Sequence, residues 1–274
     1  MNLQAQNSSD GEAQGFPWWL AVLVLIAIAI AVAIAANNIY AQVFETVIQG
    51  LWVTIGVTLT AFVLASALGL GIALMALSGS KWAQQTARFY TEIIRGVPIL
   101  VLLFYIAFVG APALTEAINF LATPLIKTGV MEPLLVRDIS LMWRAILALT
   151  IGYSAFISEV FRAGIMSVDK GQIEAAKSLG LSRTQRFRLV VMPQAIRVIL
   201  PPLGNDFVAM VKDSSLVSVL GVQDITQLGK VYASGSFRFF ETYSIVAYVY
   251  LILTVGLSLG LRRLEKRLRR NQMR

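Results

Sequence analysis

Lys212, Asp213, Ser214 and Ser215 stand side by side inside residues 198–222, a stretch otherwise apolar enough to cross a bilayer, and Asn205 and Asp206 come about two helical turns earlier. An ionised group at mid-bilayer costs roughly 3 kcal/mol on insertion scales, and it persists only where it pairs or faces a polar cavity. Two chemistries are open to this group. Lys212 and Asp213 neutralise one another, or the span breaks and its freed backbone groups, hydroxyls and charges line the path of a polar solute. Pro201, Pro202 and Gly204 precede the string and extend the irregular region. A second charged set is Glu159 and Arg162, three apart and so on one helix face. As chemistry alone, the pair is a surface bridge worth at most about 0.5 kcal/mol. The sequence has no cysteine and no histidine, which removes thiol and imidazole chemistry, disulfides and Cys/His zinc sites. No pair of carboxylates is apparent at depth, so the reading is of a non-catalytic chain without a metal site.

The elements that hold these residues are helices in a membrane. Of 274 residues 57% are hydrophobic and 14% charged, against about 25% charged in soluble proteins. Runs long enough to span about 30 Å of hydrocarbon occur at 18–36, 51–80 and 97–115. Residues 141–158 form a fourth if Arg144 snorkels at one interface, 198–222 a fifth and 242–261 a sixth. The expectation is an all-α integral membrane protein with six transmembrane helices: one N-terminal extra span plus a five-helix core. Trp18 and Trp19 suit an interfacial belt, Gly256 and Gly260 suit close helix packing, and Leu261, Leu264 and Leu268 mark one stripe of the last helix.

The loops alternate sides, which lets charge set orientation. One side carries Lys81, Arg88 and Arg95, then Arg162, Lys170, Lys177, Arg183, Arg186, Arg188 and Arg197, then seven more Lys or Arg after Leu261; the other has only Lys127, Arg137, Lys230 and Arg238. The positive-inside rule puts the first set in the cytoplasm. The net charge of +8 therefore reports topology rather than nucleic-acid binding. The first span is read as retained: Ala33-Ile34-Ala35 has the look of a signal cleavage site, but the leader contains Asp10 and Glu12 and no positive charge, and the run is long for a signal core.

Between the fourth and fifth spans the chain turns polar. Gly171 and Gly180 bracket good helix formers, among them Glu174, Ala175, Ala176 and Lys177, and the pattern predicts a short water-facing helix stopped at Gly180, where a positive φ is available. Glu174-Ala175-Ala176, three residues, Gly180, nine residues, then Val190-Val191-Met192-Pro193 resembles the EAA loop of ATP-binding-cassette importer permeases, with valine and methionine in place of the usual isoleucine and leucine. Arg95-Gly96-Val97-Pro98, Glu159 to Gly164, Lys212 to Leu216 and Phe237 to Glu241 extend the resemblance, from about residue 45 to 270, to the polar amino-acid branch of that family.

That resemblance implies a type I importer permease subunit. It implies a leader and anchor span over 1–44 and a permease domain over 45–274, with an EAA loop at about 161–197 and a basic cytoplasmic tail at 262–274. Gly171, Glu174, Ala175, Ala176 and Gly180 would form the helix that couples to a separate ATPase. Asn205, Asp206, Lys212, Asp213, Ser214 and Ser215 would line the path of an amino acid, and Glu159 and Arg162 would be the gate pair. The implied partners are a second permease, identical or homologous, two cytoplasmic ATP-binding subunits and an extracytoplasmic solute-binding protein, in the bacterial plasma (inner) membrane. ATP and magnesium belong to the partner, since this sequence has no G-x-x-x-x-G-K-[ST] loop. The other reading is an ATP-independent ion-coupled carrier or channel, in which Lys212 and Asp213 act as relay or filter.

Overall fold

The computed structural model describes residues 18–270; the leader before Trp18, with Asp10 and Glu12, the last four residues of the basic tail, and the side chains of Trp19, Leu20 and residues 265–270, Leu268 among them, lie outside its description. Helix α1 (Trp18–Ala36) is uniformly apolar. Asn37 then takes an extended conformation and its Oδ1 accepts from Ile39 N at 2.9 Å, a side-chain cap that starts α2 (Asn38–Ile48). After Gly50, α3 (Leu51–Ala76) runs down the bundle. Ser80 caps α4 (Lys81–Gly96) through Ala83 N. Val97 turns extended before Pro98, as a residue preceding proline does, and α5 (Ile99–Tyr105) follows.

A wide π-type turn, Ile106–Gly110, joins α5 to α6 (Ala111–Leu121), and another, Phe187–Val191, leads out of α10 (Arg183–Arg186) into α11 (Met192–Asp213). Each precedes a helix whose second residue is proline, Pro112 or Pro193. Proline has no N–H for the carbonyl four residues back, and the widened turn takes up the mismatch. The remaining elements are α7 (Thr123–Lys127), α8 (Leu141–Met166), α9 (Lys170–Ser178), α12 (Ile225–Ser236) and α13 (Phe239–Arg270).

Five stretches are long and apolar enough to cross a membrane: Asn38–Ala76, Ile99–Leu121, Leu141–Met166, Arg183–Leu220 and Phe239–Leu264, with a shorter apolar helix in front of them. The all-α expectation stands. Among the described residues no strand occurs. α8 is the most buried span and organises the core: Leu149, Tyr153 and Ile157 pack with Val57, Ala61 and Ala65 of α3, Leu103 of α5, and Met210 and Val217. α3 approaches so closely at Gly69 that a Cβ there would lie 2.9 Å from Ser154 O. A second cluster joins α2 to α12 and α13 through Val43, Val47, Ile225 and Ile245, with Ile30 and Ile34 of α1 against it.

Two expectations change. Arg144 does not snorkel. It is buried and its guanidinium donates to the carbonyls of Val136, Ile139 and Ala107, because carbonyls freed by the loop and the π-turn offer acceptors inside the protein. Gly256 and Gly260 meet no atom of the described residues within 4 Å of an added Cβ; close helix approach within the chain is made at Gly69, Gly164 and Gly204.

Candidate functional site

The span carrying the charged string changes from α-helix to 3-10 helix where the string lies, a break in helix type rather than in the chain's hydrogen bonding. α11 runs through Pro201 and Pro202, ends at Asp213, and tightens into a 3-10 segment, Ser214–Leu220, that stops at Gly221 with φ 81°. The break brings unlike groups together. Tyr153 Oη, from the middle of α8, donates to Asp213 Oδ2 at 2.8 Å. Asp206, one α11 face with Asp213, also lies within electrostatic reach of that hydroxyl, and its Oδ2 is sealed from solvent without a hydrogen-bond partner. The seven-residue spacing places Asp206 and Asp213 on one helix face, so both carboxylates lie on the side of α11 that meets Tyr153.

Lys212 is exposed and forms no ion pair with Asp213, the bridges among the described residues being Arg162–Glu159 and Arg238–Glu241. Adjacent residues on a helix point about 100° apart, which separates the two charges. Asn205 is exposed and Ser215 half-buried. Ser214 is fully buried, and its hydroxyl donates to Val211 O at 2.7 Å, closing the end of α11. Tyr153 is the residue that sequence reasoning missed, since a lone tyrosine in an apolar helix looks like core.

Glu159 and Arg162 pair as the spacing predicts, Arg162 Nη2 lying 2.6 Å from Glu159 Oε2. They stand on the rim of a cleft of about 430 Å³ between the ends of α3 and α8 and the polar face of α4, which contributes Gln84, Arg88, Glu92 and Arg95. α4 is held there by Tyr90, whose hydroxyl lies 2.7 Å from Ser154 Oγ; burial pushes the Tyr90 hydroxyl above its ordinary pKa. The Arg95 guanidinium sits over the Phe156 ring at 5.6 Å.

The short polar helix forms as α9, with one boundary changed. Asp169 caps it through Gln172 N at 3.3 Å, so Gly171 lies inside the first turn rather than before the helix: a carboxylate acceptor starts a helix better than a glycine. At the other end Gly180 has φ +78°, Gly180 N donates to Lys177 O and Leu181 N to Ala176 O, the paired bonds of a left-handed glycine stop. Ala176 is buried, and Ile173 packs with Val168 and Val191 against the ends of α8 and α11. Glu174, Ala175 and Lys177 face outward, and Leu179 beyond the helix is 81% exposed.

In the connection between α11 and α13, Asp224 caps α12. Its Oδ1 accepts from Gln227 N at 2.8 Å and its Oδ2 from Tyr250 Oη at 3.1 Å. Burial raises its carboxyl pKa, and these hydrogen bonds oppose the rise. No cluster of His, Cys, Asp or Glu suited to a metal ion occurs among the described residues.

A family model described as the binding-protein-dependent transport system inner membrane component matches residues 65–270. The glutamine transport system permease protein GlnP of Escherichia coli (strain K12) is 38% identical over 216 residues, covering 77% of this chain and 90% of the relative. The probable amino-acid permease protein YxeN of Bacillus subtilis (strain 168) is 36% identical over 212 residues, 77% of this chain and 86% of the relative. Among solved structures, an amino acid ABC transporter with histidines shares 38% identity and superposes with a TM-score of 0.66, over 83% of this chain and 95% of that one. The MetNI methionine ABC transporter in an inward-facing form, 20% identical with a TM-score of 0.61, shares the fold.

Proposed function

The chain belongs to the family of binding-protein-dependent transport system inner membrane components, and from that premise we propose that it is the permease subunit of an ATP-driven importer of polar amino acids, coupled to its ATPase through α9. The observation that carries this reading is the build of α9. A helix anchored on one face by Ile173 and Ala176 against the ends of two spans, and bare on the other at Glu174, Ala175 and Leu179, transmits a push on its outer face directly to α8 and α11. The break at Asp213 lies at the far end of α11, so such a push reaches the segment where the charged groups converge.

In this reading Gly171 to Gly180 and the basic tail face the cytoplasm of a bacterial inner membrane. The chain pairs with a second permease, identical or homologous, and with two ATP-binding subunits that hold ATP and magnesium; a binding protein delivers the solute from outside. Asn205, Asp206, Lys212, Asp213 and Ser215 border the path, with Tyr153 orienting Asp213 and Ser214 closing the helix end. Glu159 and Arg162 form a latch at the inner mouth. Similarity to amino-acid and glutamine permeases supports the substrate class, and the identity of the amino acid lies with the complete assembly.

The test is uptake of labelled glutamate, glutamine and arginine into proteoliposomes that contain the co-purified complex with ATP inside, comparing the native chain with Glu174→Arg. Uptake of one solute that needs ATP and falls at least about tenfold in the variant is expected, a loss of about 1.4 kcal/mol in coupling. Uptake indifferent to ATP and to the substitution would overturn the reading in favour of an ion-coupled carrier.

A further inference from the structure

The cleft beside Glu159 and Arg162 has a chemistry that solute transport does not explain. We propose that it binds the phosphodiester headgroup of an anionic phospholipid from the cytoplasmic leaflet, with the acyl chain lying along the outer face of α4. The proposal goes beyond transport and rests on the orientation given above for its leaflet.

α4 is divided into three arcs by the 100° step of a helix. Tyr90 packs inward, with buried Ala87 and Thr91 beside it at the inner wall of the cleft. Gln84, Arg88 and Arg95 line the cleft. Trp82, Phe89 and Ile93, at i, i+7 and i+11, form an apolar stripe that none of the described residues covers, Trp82 being 86% and Phe89 68% exposed. A cationic cleft flanked by an apolar stripe on one helix has the two-part surface of an amphiphile's partner.

Charge selects the headgroup. Glu159 is neutralised by Arg162, whereas neither Arg88 nor Arg95 has a carboxylate within 4 Å. Glu92 also lines the cleft, so the unneutralised groups there carry a net single positive charge, the complement of one phosphodiester. Phe156 orients the Arg95 guanidinium without neutralising it, and a guanidinium fork matches two phosphate oxygens. α4 joins the span that ends at Ala76 to the one that begins at Ile99, which puts the cleft at headgroup depth; basic pockets between spans on the cytoplasmic side are where anionic headgroups bind.

The experiment measures lipid retained by the purified full-length chain in detergent, by native mass spectrometry during titration with phosphatidylglycerol or phosphatidylcholine. Preference for phosphatidylglycerol is expected, weakened on the order of tenfold in R88Q/R95Q, weakened to an intermediate degree in R88K/R95K, which keeps the charge and loses the fork, and unchanged in R262Q/R263Q, which removes equal charge from the tail. W82A/F89A is expected to weaken lipid binding as well. Equal binding of the two lipids, or equal loss in the tail variant, would overturn the proposal. So would displacement of the lipid by millimolar inorganic phosphate, which would mark a free-anion site, or by glutamine or arginine, which would mark a solute station. Should R88Q/R95Q not fold, the headgroup comparison and the two competitions on the native chain still decide. No ATP or transport enters the measurement, so its failure leaves the permease reading intact, and failure of ATP-driven uptake leaves this result standing.

Discussion

At the scale of single residues the chain separates two charges that its sequence sets side by side. Asp213 turns toward Tyr153 and Lys212 turns away, so the energetics of the break rest on the tyrosine. Tyr153→Phe leaves a partly buried carboxylate without its donor, a loss of about 1–3 kcal/mol; the thermal unfolding midpoint of the detergent-purified chain is expected to fall by a few degrees. Lys212→Met, which removes no observed bond, is expected to leave that midpoint unchanged while reducing amino-acid uptake. Equal destabilisation by both would mean that Lys212 and Asp213 are paired after all. The sequence made Asp206, Asp213 and Glu159 with Arg162 legible, because charges in apolar runs and i, i+3 spacing are local signals. Tyr153 was not legible: its partner lies 60 residues away, and its own surroundings in the sequence are those of any core aromatic. Ser214 was legible as a polar group within the span, whereas the bond of its hydroxyl to Val211 O was not, because this helix end leaves no local pattern.

At the scale of elements, helix ends decide where the chain bends, and Asp224 shows how much rests on one of them. It caps α12, takes a bond from Tyr250 of α13, and its neighbour Ile225 N donates to Thr54 of α3. Asp224→Ala is expected to destabilise the chain by about 1–2 kcal/mol, whereas Asp224→Asn keeps a capping oxygen. The two differ further with pH. Burial raises the folded carboxyl above its unfolded value, so the folded chain binds the proton more tightly and stability declines as pH rises through that window. The native unfolding midpoint should therefore gain on acidification from neutrality toward about pH 4 relative to Asp224→Asn; parallel profiles would show that the carboxyl does not titrate there. The same logic explains the one misplaced boundary of α9. Glycine stops are visible in a sequence because few residues accept positive φ, but a glycine such as Gly171 does not mark a start when Asp169, two residues earlier, is the better cap. The π-turns had a sequence signal in Pro112 and Pro193, and it told of a disturbed ladder without saying that the helix would widen rather than end.

For the whole molecule, hydropathy found the uncharged spans, because burying apolar area in a bilayer is a one-dimensional criterion; it was weak for 198–222 and for the span with Arg144, whose polar groups are satisfied by distant partners, and it could not say which helix lies in the middle. α8 takes that place because its faces carry small and medium residues that admit neighbours on all sides, and α3 meets it at Gly69. Glycine substitutions then have opposite expected signs according to where a methyl group would go. At Gly69 a Cβ would come within 2.9 Å of Ser154 O and 3.1 Å of Ser158 N, backbone atoms of a packed helix that cannot swing aside, so Gly69→Ala should cost about 1–3 kcal/mol by forcing α3 off α8. At Gly256 nothing lies within 4 Å, and Gly256→Ala should raise the stability of the chain by up to about 1 kcal/mol through helix propensity alone. Thermal unfolding of the two variants in detergent tests the assignment directly. A loss at Gly256 as large as that at Gly69 would place a neighbouring helix over that face, and the centre of packing would then lie between chains rather than along α8.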